Sequence, residues 1–380
     1  MIEKIGAYIH IPFCKQKCYY CDFLSFANKK EYEEKYVESL IKEIEVFKEK
    51  NNDVEFDTIY IGGGTPSYID SKNIARILQT LISDNNISNV DEITIELNPG
   101  TFLKEKMLEY KQIGINRMSI GLQSTNNNLL KEIGRIHNFE DFLETYQTAR
   151  KIGFENINVD LMIGLPNQTF DDIKDEIEHI IKLEPNHISV YSLILEENTK
   201  LEQFVLQGKM KLPDEELERH MYWYVKNKLE LYGYKHYEIS NFAKKGYESK
   251  HNLNCWNQKQ YRGFGLGAHS YINNKRFSNT ENIDLYINNI NKENFENNIN
   301  IHEIQNIEMQ EKEYMLLGLR KIDGINIQEF ENKFGMNPIF LFKNELNKLS
   351  NEGLIKVDGN KIMLTNKGID LANIVWEEFI

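Results

Sequence analysis

Three of the four cysteines in this 380-residue chain, Cys14, Cys18 and Cys21, fall inside the short stretch "IPFCKQKCYYCDF". An odd number of neighbouring thiols suits neither paired disulfides nor a closed four-ligand metal site. The spacing C-x3-C-x2-C reaches about 26 Å at most, even fully extended, so a folded loop wraps readily around a small metal cluster. A 4Fe–4S cube has four irons, each normally holding a cysteine thiolate. Three local cysteines leave one iron without a protein ligand, and an open coordination position marks a reactive metal rather than a structural one. Two plainer arrangements draw on the same residues. One is a zinc site completed by His10 or Asp22. The other is a redox C-x-x-C with a bystander cysteine, for which no thioredoxin-like context is present.

Further polar residues stand where chemistry needs them. The run "GGGTP" at 62–66 follows a strand-like stretch. Its glycines let backbone approach a ligand closely, and Thr65 adds a hydroxyl. Glu96, Gln123, Arg135 and Asp160 lie in or just beyond other strand-like runs, among them "ITIEL" and "NVDLM". A carboxylate in such a run is costly unless it is paired or bonded, so each is either half of a buried salt bridge or a ligand contact. In the second half, "HNLNCW" at 251–256 places His251 four residues before Cys255. A neutral imidazole and a thiolate are both metal-ligating groups, and an ordinary hydrogen-bonded histidine is the plain alternative. Lys244, Lys245, Lys250, Lys259 and Arg262 make this segment basic within a chain of net charge −13, which suits a carboxylate-bearing ligand or simply a solvated loop.

Short β-branched runs at 5–11, 57–61, 92–97, 117–122, 157–163 and 187–194 supply the strands that would carry these residues. Helix-like stretches lie between them, as at 31–50, where Tyr36, Leu40, Ile44 and Phe47 recur three or four apart. Such alternation implies a parallel sheet with right-handed crossovers, either an open doubly wound sheet or an incomplete barrel. The polar punctuation falls at strand C-terminal ends, where both architectures place their sites. From about 200 the pattern changes to a helix, a short strand "KHYEIS", an irregular loop at 241–270 and an Asn-rich exposed connector at 279–306. Residues 307–380 read as three helices, a hairpin turning at Asp358-Gly359 and a further helix, the order of a winged-helix module. The expected units are therefore 1–200, 201–306 and 307–380. The acidic charge disfavours a nucleic-acid partner. No apolar run is long enough to span a bilayer, and the first residues do not read as a signal peptide, which points to the cytoplasm.

The stretch C-x3-C-x-aromatic-C, with Tyr20 as the aromatic residue, resembles the signature of the radical S-adenosylmethionine enzymes. "YIHIPFCKQKCYYCDF", "GGGTPSYI", "IELNPGT", "RMSIGLQS", "EIGRIHN" and "VDLMIGLPNQT" resemble, in order, the coproporphyrinogen III dehydrogenase-like branch of that family. The resemblance implies a partial (β/α)6 TIM-like barrel with a C-terminal α+β part that includes the winged-helix-like module. It implies a 4Fe–4S cluster on Cys14, Cys18 and Cys21, whose open iron is chelated by the methionyl group of S-adenosylmethionine. Electron transfer from a donor such as a flavodoxin or ferredoxin then cleaves the sulfonium to a 5′-deoxyadenosyl radical. Tyr8, Tyr20, Gly63, Gly64, Thr65, Glu96, Gln123, Arg135 and Asp160 are the implied cofactor contacts. The branch divides into a dehydrogenase of porphyrin biosynthesis and a group of heme chaperones. The dehydrogenase has a fourth cysteine two residues past the third, where this chain has Phe23, and a long N-terminal extension. The chaperones have Asp-Phe after the third cysteine, as in Asp22-Phe23, and an HNxxYW stretch matched here by His251, Asn252, Cys255 and Trp256, with Cys255 in the tyrosine position. The resemblance therefore favours a chaperone that binds heme and hands it to a recipient hemoprotein, any membrane contact running through that partner. Coproporphyrinogen III oxidation is the alternative, and a zinc-stabilised adaptor module is the reading from a different class.

Overall fold

The computed structural model describes residues 3–82, 89–101 and 103–380. Six parallel strands form its centre: β1 (Glu3–Ile11), β2 (Val54–Gly63), β3 (Glu92–Leu97), β4 (Arg117–Gln123), β5 (Asn156–Ile163) and β6 (His187–Ser192). They lie side by side in chain order. A doubly wound sheet reverses its strand order at a switch point. This one does not, so the incomplete barrel is the architecture. The crossovers run through α1 (Glu33–Lys50), α2 (Ser71–Ile82), α3 (Lys104–Gln112), α4 (Phe139–Ile152) and α5 (Phe170–Leu183).

Alternation along each strand separates two environments. Ile5, Ala7, Ile9, Ile59, Ile61, Ile93, Ile95, Ile120, Val159 and Ile188 belong to the apolar core beneath the helices. Fully burying an aliphatic side chain of this size contributes about 1.5–3 kcal/mol, which fixes the register and with it the opposite face. That other face carries Tyr8, Thr58, Tyr60, Glu92, Glu96, Arg117, Ser119, Asp160, His187 and Tyr191. The barrel lumen is thus polar from end to end.

Residues 201–306 build onto both edges of this sheet. After α6 (Glu215–Leu231), β7 (Lys235–Glu238) and β8 (Asn241–Ala243) extend it antiparallel beyond β6. A short helix, α7 (Lys250–Trp256), leads to β9 (Tyr261–Phe264), which pairs in parallel with β1. β10 (His269–Ile272), β11 (Lys275–Asn279) and β12 (Ile299–Ile304) complete a twelve-stranded open sheet. The segment 241–270 is therefore ordered into strand, helix and strands, not irregular. Nor is 279–306 an exposed connector: it holds α8 (Ile283–Asn291), whose Ile283, Tyr286, Ile287 and Ile290 enter the main core, followed by β12. Its asparagines hid the pattern because they do structural work. Asn282 caps α8, and the buried Asn289 amide donates to Asn298 at 2.8 Å.

Residues 307–380 have a core of their own around Met315, Leu319, Phe330, Leu349, Ile362 and Val375. Its hairpin pairs Ile355–Asp358 with Lys361–Leu364, and Ile325–Asn326 adds a third strand. The turn residues are Gly359 and Asn360, one position later than the sequence suggested, and Gly359 takes the positive φ of 57°.

Candidate cofactor site

The cysteine loop leaves the C-terminal end of β1 and is pinned on two sides. Phe13–Cys14 pairs with Phe26–Ala27, closing the loop at its base. Across the lumen, Gln16 donates to the Gly134 carbonyl at 3.0 Å and the Tyr19 amide to Ile133 at 3.0 Å. Gly134 has φ +77°, and a Cβ there would stand 2.7 Å from the Tyr19 ring. The Thr65 hydroxyl donates to the Cys14 sulfur at 3.4 Å, and Arg135 Nη1 donates to the Cys18 sulfur at 3.5 Å. Burial raises the Cys14 thiol and pushes Cys21 up to about 12, with the neighbouring Cys18 sulfur adding to the shift. These thiols hold their protons until a metal displaces them.

The Gly-rich turn after β2 forms the adjoining wall. Its amides at Gly64 and Thr65 donate to the carbonyls of Ile11 and Phe13 at 2.8 and 2.9 Å. A Cβ on Gly64 would lie 2.9 Å from each of those oxygens and 3.0 Å from the Cys14 sulfur. Gly64→Ala is therefore expected to displace the cysteine loop. Anaerobic reconstitution should return less than half the wild-type iron, by iron assay against protein concentration, while the circular dichroism of the fold is retained.

Glu96, at the end of β3, accepts from the Tyr60 hydroxyl at 2.8 Å and the Gly63 amide at 3.2 Å. Burial raises its carboxyl to about 7, against the pull of those two donors. Asp160 accepts from Ser119 at 3.2 Å and Asn158 at 2.7 Å, and burial raises it as well. Arg135 also donates to the Gly121 carbonyl at 2.6 Å, and its Nε stays buried without a partner. Gln123 ends β4 with φ 74°, beside a bulge against β5. Left-handed backbone in a residue other than glycine concentrates strain at the cavity wall.

These groups enclose one cavity of about 370 Å³ at the C-terminal ends of the strands. Cys14, Cys18, Tyr20, Cys21, Gly63, Gly64, Thr65, Glu96, Gln123, Arg135 and Asp160 all line it. Tyr8 does not: its hydroxyl meets His10 Nδ1 at 3.0 Å and its ring stacks on Tyr60, one layer deeper. His10 is spent on Tyr8 and on the Leu24 carbonyl, at 2.8 Å, so it is not the fourth ligand of a zinc site. Sequence reasoning missed Tyr60, Ser119, Met162 and Tyr191, which also line the cavity. Their parity carried the signal, since Tyr60 and Ser119 share the inward phase of Gly62 and Gly121.

The second candidate group lies at the opposite end of the barrel. α7 plugs the lumen where the strands begin. Glu92, the first residue of β3, accepts from the Lys250 and His251 amides at 3.0 and 3.2 Å. His251 is only 6% exposed, and its Nδ1 meets Thr58 Oγ1 at 3.0 Å. Burial lowers it to about 4, so the ring is neutral. Cys255 is half-buried, with its thiol pushed up to about 12 by burial. Trp256 stacks on Arg320, which stacks in turn on Trp376 of the C-terminal module. Asn252 only continues the first turn, its amide donating to Ser249 at 3.4 Å. The basic residues around this segment are largely matched: Arg262 is buried against Glu43 at 2.7 Å, while Lys250 and Lys259 face Asp91 and Asp57.

Comparison with known proteins agrees with this geometry. The Radical SAM superfamily model matches residues 8–180, and the HemN C-terminal domain model matches residues 310–371. The heme chaperone HemW of Bacillus subtilis is 39% identical over 379 residues, covering 99% of both chains. The chain belongs to the HemW family. HemW of Lactococcus lactis is 37% identical and covers 100% of this chain and 98% of its own. In fold, the chain resembles coproporphyrinogen III oxidase (HemN) from Escherichia coli, with a TM-score of 0.86 and 23% identity across 99% of this chain and 89% of that one. Radical S-adenosylmethionine proteins use a 4Fe–4S cluster and S-adenosylmethionine, and the HemW residues described above fit both. Three thiols enter the cavity, the fourth lies at the far end of the barrel, and Phe23 stands 61% exposed on the cavity rim. The glycine wall leaves room that a single Cβ would fill.

Proposed function

We propose that this protein binds heme and delivers it to recipient hemoproteins, using its radical S-adenosylmethionine site in the process. The observation that carries the proposal is likeness to heme chaperones along the whole chain, from the cysteine loop through α7 to the C-terminal module. Cys14, Cys18 and Cys21 would hold the cluster, and its open iron would take the methionyl group of S-adenosylmethionine. When bound, that pair supplies one-electron reductive chemistry at a sulfonium. The chain's own part is positional. Gly63 and Gly64 admit the cofactor close to the backbone, Arg135 steadies the Cys18 sulfur, and Glu96 and Asp160 present acceptors to groups of the nucleoside. Phe23 and Ile194 are both solvent-exposed on the cavity rim, an apolar edge suited to a flat hydrophobic ligand or a protein partner. An electron donor such as a flavodoxin or ferredoxin would reduce the cluster. Among the described residues no helix is long and apolar enough to cross a membrane. The proposed location is the cytoplasm, with membrane contact only through a recipient protein.

Titration of the reconstituted protein with heme is expected to give a shifted Soret band that saturates, followed by transfer of the heme to an apo-hemoprotein. Absence of any shift would remove the chaperone reading. The HemN-like fold keeps coproporphyrinogen III oxidation as the second reading. An anaerobic assay that yields protoporphyrinogen IX would place it first.

A further inference from the structure

We propose that His251 is a positioning residue for the S-adenosylmethionine cavity, acting through Tyr60 and Glu96 from the opposite end of the barrel. The inference rests on the cofactor reading of the cavity and goes beyond it, because α7 contributes no residue to the cavity lining.

A continuous line of contacts joins the two ends. The His251 ring lies against Tyr60 with centroids 5.4 Å apart and planes tilted by 33°. Its Nδ1 is fixed by Thr58, two residues before Tyr60 on the same face of β2. Gly6 walls the ring from β1, where a Cβ would stand 3.3 Å from His251 Cε1. Glu92 anchors the start of α7 and lies four residues before Glu96 on β3, on the same face. The helix is therefore tied to the two strands that carry Tyr60 and Glu96. Tyr8 supports the Tyr60 ring as well, with centroids 6.3 Å apart. Held by these rings, Tyr60 donates its hydroxyl to Glu96, the carboxylate that faces the cofactor.

Loss of the His251 ring frees Tyr60 and deprives Glu96 of a donor that favours its ionised form. The charged and titratable groups around Glu96 are Tyr60 on β2, Asp160 on β5, Arg117 on β4, Tyr8 on β1 and Tyr191 on β6. Only Tyr60 among them touches His251 in a ring contact or hydrogen bond; the Arg117 charge also faces both His251 and Glu96, and the double variant below separates that route from the one through Tyr60.

The test uses cluster-loaded protein under anaerobic conditions, with S-adenosylmethionine affinity measured by calorimetry from pH 6 to 9 and heme binding followed at the Soret band. His251→Ala should raise the dissociation constant about 5- to 10-fold, the scale of one ordinary lost hydrogen bond. It should also move the midpoint of the pH dependence upward while the Soret titration stays unchanged. Tyr60→Phe, which preserves the packing, should produce the same shift, and the double variant should be no worse than Tyr60→Phe alone. Thr58→Val, a milder release of the imidazole, should give a smaller shift in the same direction. Unchanged affinity and pH midpoint in His251→Ala, or additive effects in the double variant, would overturn the proposal. So would loss of the Soret shift with intact cofactor binding, which would make His251 a heme ligand and leave the chaperone reading standing. If wild type takes up no heme yet shows the Tyr60 coupling, the chaperone reading falls and this proposal holds.

Discussion

Cys18→Ala is expected to yield folded protein without its cluster: from roughly four irons and four sulfides per chain in the wild type to near zero after anaerobic reconstitution. Three thiolates already leave one iron without a protein ligand, so removing another leaves two irons unsupported. Arg135 adds to the loss, since its Nη1 donates to the Cys18 sulfur at 3.5 Å and its Nε has no partner. Without the sulfur, the buried guanidinium keeps the Gly121 carbonyl and the Tyr20 hydroxyl but loses its contact with the cluster loop's central thiol. Iron, sulfide and zinc measured on the same preparations separate the readings. Wild-type protein holding stoichiometric zinc and no sulfide would support the adaptor module instead. Cys255→Ala serves as the control and should retain full iron, because that thiol belongs to α7 at the other end of the lumen.

Glu96→Gln should have opposite effects on stability and on cofactor binding, each with its own pH dependence. Burial raises this carboxyl from an ordinary value of 4.5 to about 7, so the folded chain binds a proton that the unfolded chain releases at lower pH. The stabilisation from the neutral form is fully present below about 4.5 and is lost as pH rises through about 7. Above that, an ionised Glu96 in the ligand-free protein costs up to about 3 kcal/mol, a shift of two to three pH units at about 1.4 kcal/mol each. Glu96→Gln should therefore raise Tm at pH 8 by a few degrees and leave it nearly unchanged at pH 5. Binding of S-adenosylmethionine should weaken about 10-fold or more at pH 8, where the wild type is ionised, with a smaller difference at pH 6. A variant that binds as tightly as wild type at pH 8 would exclude Glu96 from the cofactor contacts.

The sequence made the first half of the fold legible because two periodicities coincided there. Strands such as Asn156–Ile163 alternate strictly between core and lumen, and helices such as Glu33–Lys50 repeat at three and four. The site was readable for the same reason. Gly63, Glu96 and Gln123 stand at or beside strand ends and Asp160 faces the lumen three residues before the end of its strand, and a parallel sheet in chain order brings all these strands' ends to one rim. The second half resisted because its short elements carry too few residues for a period to show. β8 has three residues and α7 seven, and the asparagines of α8 read as loop although they cap and pair. His251 illustrates the limit most clearly. Residue type and motif left an iron ligand and an ordinary hydrogen-bonded histidine both open, and only the register that sets Thr58, Tyr60 and Glu92 beneath α7 shows the ring buried as a plug. Local sequence carries no trace of contacts that span nearly 200 positions.

The central claim is that Cys14, Cys18 and Cys21 hold a cube whose remaining iron is left for S-adenosylmethionine. Electron paramagnetic resonance of the dithionite-reduced, anaerobically reconstituted protein tests it directly. The account predicts a reduced 4Fe–4S signal whose g-values change when S-adenosylmethionine is added. A signal indifferent to the nucleotide, or no iron–sulfur signal at all, would contradict it.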